Sequence, residues 1–352
     1  MVDWSLARQI ARFAAGSPTT ARRLDADLPA LVEESAGHLR AYTELEPSAP
    51  MPAPERLGRA EWAEVNLDSL ASLLEPVSER LGDRLSAAGP FAGPLRAVTG
   101  ATLAAESGLV VGYMSQRVLG QYEVSMLDVE QPPRLLFVVP NLVKAIRDLR
   151  VDSDSFLRWI VLHEVTHVFQ FSGVSWLREH MSGLLHDYLR TVEVRFERGG
   201  AGGLPSLPDP MKVVQEFREG GLIALVQTRE QRRLLERIQS AMAVIEGYSE
   251  HVMDAVGERV LPAYAGLRDS MDRRRRSRSY PERVLQRLLG LDLKMRQYEE
   301  GKAFCDRVVE RSGIAALNRV WETPDALPTA AELQDPAAWI ERTGSRPEPA
   351  AA

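Results

Sequence analysis

Two histidines and a glutamate occur in a spacing that is typical of metal-dependent hydrolysis. The segment His163-Glu164-Val165-Thr166-His167 matches the pattern H-E-x-x-H. On a helix, residues four apart lie on one face, so His163 and His167 can present two ring nitrogens to one metal ion. Glu164 is rotated by about 100° from His163, which favours proton transfer from metal-bound water over metal ligation. The alternative is a buried helix without metal, whose three polar groups would each need another partner.

A third ligand must come from outside this motif, because catalytic zinc usually binds three protein ligands and keeps one position open. The extended pattern with a third histidine six residues further on is absent, since Gln170 and Gly173 occupy its glycine and histidine positions. Glu246, inside a later apolar run, is the predicted third ligand. Its alternative role is that of an ordinary solvated glutamate. His251 is a weaker candidate for the third ligand. It lies five positions after Glu246, so its side chain points to a different face of the helix.

The residues around Glu246 suggest how the site is supported. Glu250 and Asp254 follow it at i+4 and i+8, and either carboxylate could accept the second ring N–H of a ligand histidine. Gly247 destabilises a helix by roughly 1 kcal/mol relative to alanine. Its presence therefore predicts a close approach between its own helix and the motif helix.

Three further side chains are candidates for stabilising an oxyanion across the cleft, a role that zinc hydrolases commonly give to an added donor. They are Tyr248, Arg296 and Tyr298. The alternative for the segment Lys294–Tyr298 is a structural helix end held by hydrogen bonds.

The apolar period predicts the elements that carry these residues. The motif lies in a helix that begins at Asp152 or Ser153 and ends near Gly173. A glycine- and proline-rich surface loop that could cover a cleft separates the next two helices. These segments are a second helix over Trp176–Arg195, the loop Gly199–Pro210 and a long third helix over Thr228–Val256.

Strands are predicted only between Val98 and Asn141. Arg134–Val139 forms one strand, and Tyr122–Leu127 pairs with it to give a small antiparallel sheet. The strand Arg134–Val139 could offer an edge along which an extended peptide lies. The segment Glu44–Arg56, with four prolines, is predicted to be an exposed connector.

The composition narrows the class of protein. With 352 residues, 45% hydrophobic and 26% charged, the chain is globular. A net charge of −6 offers no general attraction to nucleic acid or to an anionic membrane, and Arg273–Arg278 is interpreted as a solvated linker. Cys305 is the single cysteine, so no intramolecular disulfide can form, and a cytoplasmic location is expected. No apolar run approaches the ~18 residues of a membrane span.

The sequence resembles the zincin-like family that is associated with biosynthesis of the deazaflavin coenzyme in actinobacteria and their relatives. The resemblance extends over nearly the whole chain and is carried by Asp3-Trp4, Leu119–Tyr122, Pro140-Asn141, Trp159–Phe171, Trp176-Leu177, Glu246-Gly247, Leu288–Tyr298, Gly301, Phe304, Trp321, Leu327-Pro328 and Trp339. It implies His163 and His167 as zinc ligands, Glu164 as the catalytic acid and base, and Glu246 as the third ligand. The gap of 79 positions between His167 and Glu246 (246 − 167) is unusually long for zincins with a glutamate ligand.

The resemblance also implies an α+β fold that is predominantly helical. A zincin-like metalloprotease core with a small antiparallel sheet would carry helical N- and C-terminal additions. The expected segments are an N-terminal helical region over 1–97, a zincin-like metal-binding core over 98–257, a C-terminal helical region over 258–343 that packs on the core, and a disordered tail over 344–352. These segments could also pack as a single compact domain.

The function predicted is that of a zinc-dependent hydrolase, and within that class a metallopeptidase. One zinc ion per chain would activate water, Glu164 would move the proton, and the substrate would be a peptide or a small molecule. The rival hypothesis is a catalytically silent, metal-stabilised binding or scaffold protein. A purely structural zinc site would need no Glu164 and would normally close with a fourth protein ligand.

Overall fold

A computed structural model describes residues 2–16, 24–86, 92–125, 131–191, 228–262, 264–276 and 291–344, with the backbone alone at several positions that include 291–298. The described chain is mostly helical with one small sheet, as predicted. Its strands are β1 (Pro54–Leu57), β2 (Gly120–Glu123) and β3 (Arg134–Val138). Its helices are α1 (Trp4–Ala14), α2 (Leu28–Thr43), α3 (Arg59–Ser86), α4 (Ala92–Ser115), α5 (Val139–Leu149), α6 (Ser153–Gly173), α7 (Leu177–Thr191), α8 (Arg229–Val260), α9 (Tyr264–Arg276), α10 (Leu291–Leu317), α11 (Ala330–Gln334) and α12 (Pro336–Gly344). Short 3-10 helices span Asn318–Trp321 and Pro324–Ala326.

The sheet is mixed, which corrects the prediction of a purely antiparallel one. Strand β2 pairs antiparallel with β3 as predicted, but β1 pairs parallel with the other side of β3. Strand β1 lies partly within the segment that was predicted to be a connector. It is anchored by Arg134, which donates two hydrogen bonds to the Glu55 carboxylate at 2.8 and 2.6 Å. Since β3 is the central strand, it offers no free edge to a peptide.

The described residues form two compact units. One contains the three strands with α1, α3, α4 and α5, and the other contains α2, α6, α8, α9, α10, α11 and α12. All three predicted ligands belong to the second unit. The division by chain order into segments ending at 97, 257 and 343 stays a prediction.

Helices α6 and α8 are the elements that carry the predicted ligands, and both were predicted close to their observed bounds. Helix α8 begins after Thr228, whose hydroxyl accepts from the Gln231 N–H while the Gln231 side chain accepts from the Thr228 N–H. This reciprocal cap satisfies backbone donors that a helix start leaves unpaired. Contacts of His163 with Met253 and of Gln170 with Ile245 show that α6 and α8 run antiparallel.

A glycine pair allows α8 to lie directly against α10. A Cβ atom at Gly247 would overlap the backbone of Gly301, and a Cβ atom at Gly301 would overlap the carbonyl of Ala243. Gly247 does permit a close helix approach, but the prediction that its partner is the motif helix was wrong. The partner is α10, and this contact fixes the backbone next to Glu246.

We expect Gly301→Ala to lower the free energy of unfolding by about 1–3 kcal/mol, because the added methyl group meets rigid backbone rather than a movable side chain. The matched control is Gly37→Ala in α2, where nothing lies within 4 Å of the added Cβ. That change should stabilise the helix by up to about 1 kcal/mol. Denaturant unfolding of both variants measures the difference. Equal effects of the two changes would contradict the packing role.

The loop Gly199–Pro210 and residues 345–352 lie outside the described residues. None of the described helices combines the length and apolar composition that crossing a membrane requires.

Candidate metal centre

Thirteen of the 21 residues of helix α6 are buried, so the polar side chains among them need an explanation. A helix that is apolar on every side belongs to a protein interior, and a buried polar group there needs a partner or a function. His163 and His167 are partly exposed, whereas Glu164 is only 6% exposed. The two histidines therefore lie where the helix face opens towards solvent.

The three predicted ligands converge, although they come from two helices. The Nε2 atoms of His163 and His167 lie 3.3 Å apart, and the two rings are nearly perpendicular at 82°. From α8, the Oε2 atom of Glu246 lies 3.9 Å from His167 Nε2. One ligand atom from each residue falls within 4.8 Å of the other two.

These distances fit a zinc ion. Two atoms that each bind zinc at about 2.1 Å with a tetrahedral angle lie about 3.4 Å apart. The Nε2–Nε2 distance of 3.3 Å agrees with that value. Glu246 lies 3.9 Å from His167 Nε2, and its ligand atom lies within 4.8 Å of both histidines, so its side chain must move closer to share one ion with them. Two imidazoles and one carboxylate are also the donor set of a catalytic zinc site with one open position. The side chains of His167 and Glu246 are 12% and 23% exposed, which leaves solvent access at the cluster.

The second ring nitrogen of His167, Nδ1, which does not face the other ligands, contacts residues that the sequence prediction missed. His167 Nδ1 lies 2.8 Å from Gln170 Oε1 and 3.3 Å from Ser249 Oγ. The Gln170 amide also donates to the Ile245 carbonyl at 2.8 Å. The signal for Gln170 was present in the sequence, because a residue three positions after a ligand on a helix lies beside it.

The second ring nitrogen of His163 contacts a sulfur atom. Its Nδ1 atom lies 3.0 Å from the thioether sulfur of Met253 on α8. A thioether sulfur is a weak acceptor, so this contact orients the ring while adding little negative charge to it.

Glu250 and Asp254 are engaged elsewhere, which corrects the prediction that one of them orients a ligand histidine through its second nitrogen. Arg268 donates to Glu250 at 2.6 Å and lies 3.2 Å from Asp254. Asp254 also pairs with Lys302 at 2.9 Å and accepts from the Tyr264 hydroxyl. Burial lowers the pKa of the Arg268 guanidinium, but the two carboxylates outweigh burial and hold that pKa above its ordinary value. Full positive charges attract these carboxylates more strongly than a neutral ring does.

The oxyanion candidates are not supported by the described side chains. Tyr248 is fully buried, and its hydroxyl donates to Asn318 Oδ1 at 2.9 Å, so it faces away from the ligands. Two residues after Glu246, it is rotated by about 200° around the helix. Burial raises its pKa well above the ordinary value. The side chains of Arg296 and Tyr298 lie outside the described residues.

His251 packs on another face of α8. Its Nδ1 lies 2.7 Å from Asp306 Oδ1, and its Nε2 lies 2.7 Å from the Tyr42 hydroxyl. Burial raises the pKa of Asp306, but His251 and Lys302 outweigh it, so the pKa lies below its ordinary value. His251 therefore joins α2, α8 and α10 rather than serving as a ligand.

Comparison with known proteins identifies the family of the chain. Residues 2–340 match the family described as zincin-like metallopeptidase. The chain belongs to this family. A solved structure from Chloroflexus aurantiacus, described provisionally as a hydrolase with a novel fold, shares 29% identity and superposes with a TM-score of 0.73. The alignment covers 99% of this chain and 100% of that one. A search of curated proteins finds no match.

Membership of the zincin-like metallopeptidase family implies a zinc cofactor, and His163, His167 and Glu246 are the described residues that could hold it. The match extends well beyond the motif helix. It therefore covers α8, which carries Glu246.

Proposed function

We propose that this protein is a zinc-dependent hydrolase that cleaves peptide bonds. The observation that carries the proposal is the convergence of His163, His167 and Glu246, with the buried Glu164 next to His163 in the sequence of α6. The family match and the hydrolase-like relative support it. The proposed substrate is a peptide, with a small amide-containing molecule as the other member of the same chemical class.

Each residue of the cluster has a distinct role in this proposal. His163, His167 and Glu246 hold the ion, which when bound would polarise the substrate carbonyl and acidify water. Glu164 accepts the proton of the attacking water and returns it to the leaving nitrogen. Because the backbone of Glu164 belongs to the same rigid helix as two ligands, its carboxylate is held close to the reacting atoms without a separate loop.

Removal and restoration of zinc test the proposal. The full chain, stripped with a chelator, should cleave no member of a diverse peptide library, and about one equivalent of zinc should restore cleavage. Mass spectrometry of the products identifies the bond. Cleavage that survives complete stripping would contradict the proposal. A fully loaded protein that cleaves nothing would favour the silent, metal-stabilised alternative.

A further inference from the structure

We propose that Gln170 is a positioning residue that sets the tautomer of His167 and joins the two helices that carry the ligands. This inference rests on the proposed metal site. Gln170 is fully buried, and its amide lies between His167 on its own helix and Ile245 on α8. The oxygen and the nitrogen of the Gln170 amide therefore contact two different helices, each of which carries a ligand.

The orientation of the Gln170 amide follows from its partner on α8. The Ile245 carbonyl can only accept a hydrogen bond, so the Gln170 NH2 group must face it, at 2.8 Å. The amide oxygen then faces His167 Nδ1, also at 2.8 Å. Because this oxygen can only accept, Nδ1 must carry the ring hydrogen. His167 Nε2 is left with a free lone pair, as metal binding requires.

Ser249 adds a second, weaker contact to the same arrangement. Its hydroxyl oxygen lies 3.3 Å from His167 Nδ1, 3.4 Å from Gln170 Oε1 and 3.2 Å from the Ile245 carbonyl. The hydroxyl can accept from Nδ1–H while donating to either oxygen. Gln170 and Ser249 are both fully buried, so water does not compete for these bonds. The alternative tautomer would leave the Gln170 oxygen facing a ring lone pair.

The Nδ1–H tautomer of His167 affects how the two histidines face each other. His163 Nδ1 faces the Met253 sulfur, a weak acceptor, which favours the same Nδ1–H form on that ring. Two Nε2 lone pairs would then face each other across 3.3 Å, an arrangement that a divalent cation stabilises. Gln170 thus holds His167 in the tautomer that binds a cation even when no cation is bound.

Gln170 also determines where Glu246 lies. Ile245 is the residue before Glu246, so the bond from Gln170 to its carbonyl fixes α8 against α6 at the third ligand. One amide therefore couples the orientation of His167 to the position of Glu246. A substitution at Gln170 should affect two ligands while leaving all three in the sequence.

Two substitutions separate these roles. Gln170→Glu and Gln170→Leu both lose the donor to the Ile245 carbonyl, but only Glu keeps an acceptor opposite His167 Nδ1. If positioning of His167 matters, Gln170→Leu should weaken zinc affinity about 10–100-fold, and Gln170→Glu should weaken it far less. Competition with a chromophoric chelator measures both affinities. Equal losses in the two variants would show that only the contact between the helices matters and would overturn the inference that Gln170 sets the tautomer of His167.

The control is Gln231→Leu, which removes another buried glutamine from α8 that caps the helix start and has no described contact with the cluster. It should lower stability without changing zinc affinity. A change in zinc affinity as large as that of Gln170→Leu would mean that general loosening of α8 explains the effect.

A spectroscopic measurement separates this inference from the proposed function. Nitrogen-15 NMR of the metal-free full chain at mildly alkaline pH, where histidine is neutral, should show His167 as the Nδ1–H tautomer. Gln170→Leu should convert it to a mixture. An Nε2–H form in the unsubstituted protein would overturn the inference whether or not zinc binds. If the expected tautomer is observed but the protein binds no zinc, only the proposed function is contradicted.

Discussion

Glu164→Gln should lower peptide hydrolysis by about 10²–10⁴-fold while leaving the zinc content unchanged. Glutamine has nearly the same shape as glutamate but cannot accept a proton from water at neutral pH. Glu164 is not one of the three residues whose ligand atoms converge, so the ion should stay bound. The measurements are kcat/KM on a cleaved peptide and zinc per chain by elemental analysis.

The matched control for this change is Glu179→Gln, an exposed glutamate on α7. It should leave both the rate and the zinc content as they are. Full activity in Glu164→Gln would mean that another group moves the proton. Loss of zinc in the same variant would instead make Glu164 a ligand, and either result would contradict the assigned role.

The second large effect concerns the ligands. His163→Ala should reduce zinc from about one equivalent per chain to nearly none, because two remaining ligands hold zinc weakly. Hydrolysis should disappear with the metal. His180→Ala is the control, since His180 lies on α7 and packs edge-on against Trp176 with ring centroids 5.7 Å apart. It should keep its zinc. Zinc retained by His163→Ala, or lost from the control, would contradict the ligand assignment.

The motif helix could be predicted from sequence because the residues that define it are close together in the chain. His163, Glu164 and His167 lie within five residues, and one helical period determines which of them share a face. Glu246 could be proposed as a partner because it interrupts an apolar run. Its distance from the histidines, however, depends on how α6 and α8 pack, which only the structure shows.

The errors arose where a partner is distant in sequence. Gly247 permits a close approach, but its sequence context does not say which helix approaches, and the partner is α10 with Gly301 rather than the motif helix. Strand β1 has four residues and begins with a proline, and its pairing with β3 spans about 80 positions, so no local pattern indicated it. Short strands gain their stability from such distant pairing.

The neighbours of the site were misassigned for an electrostatic reason. Glu250 and Asp254 are suitably spaced from Glu246 to support a histidine, but spacing says nothing about Arg268 and Lys302, which come from other helices and pair with them. The contact to His167 Nδ1 comes instead from Gln170, an uncharged residue.

Anomalous X-ray diffraction at the zinc absorption edge, on crystals of the zinc-loaded full chain, tests the central claim most directly. We predict one strong peak about 2.0–2.2 Å from His163 Nε2, His167 Nε2 and a Glu246 carboxylate oxygen, with a fourth position open to solvent. Zinc bound at another place while this cluster holds none, or a peak from which Glu246 is absent, would contradict the account.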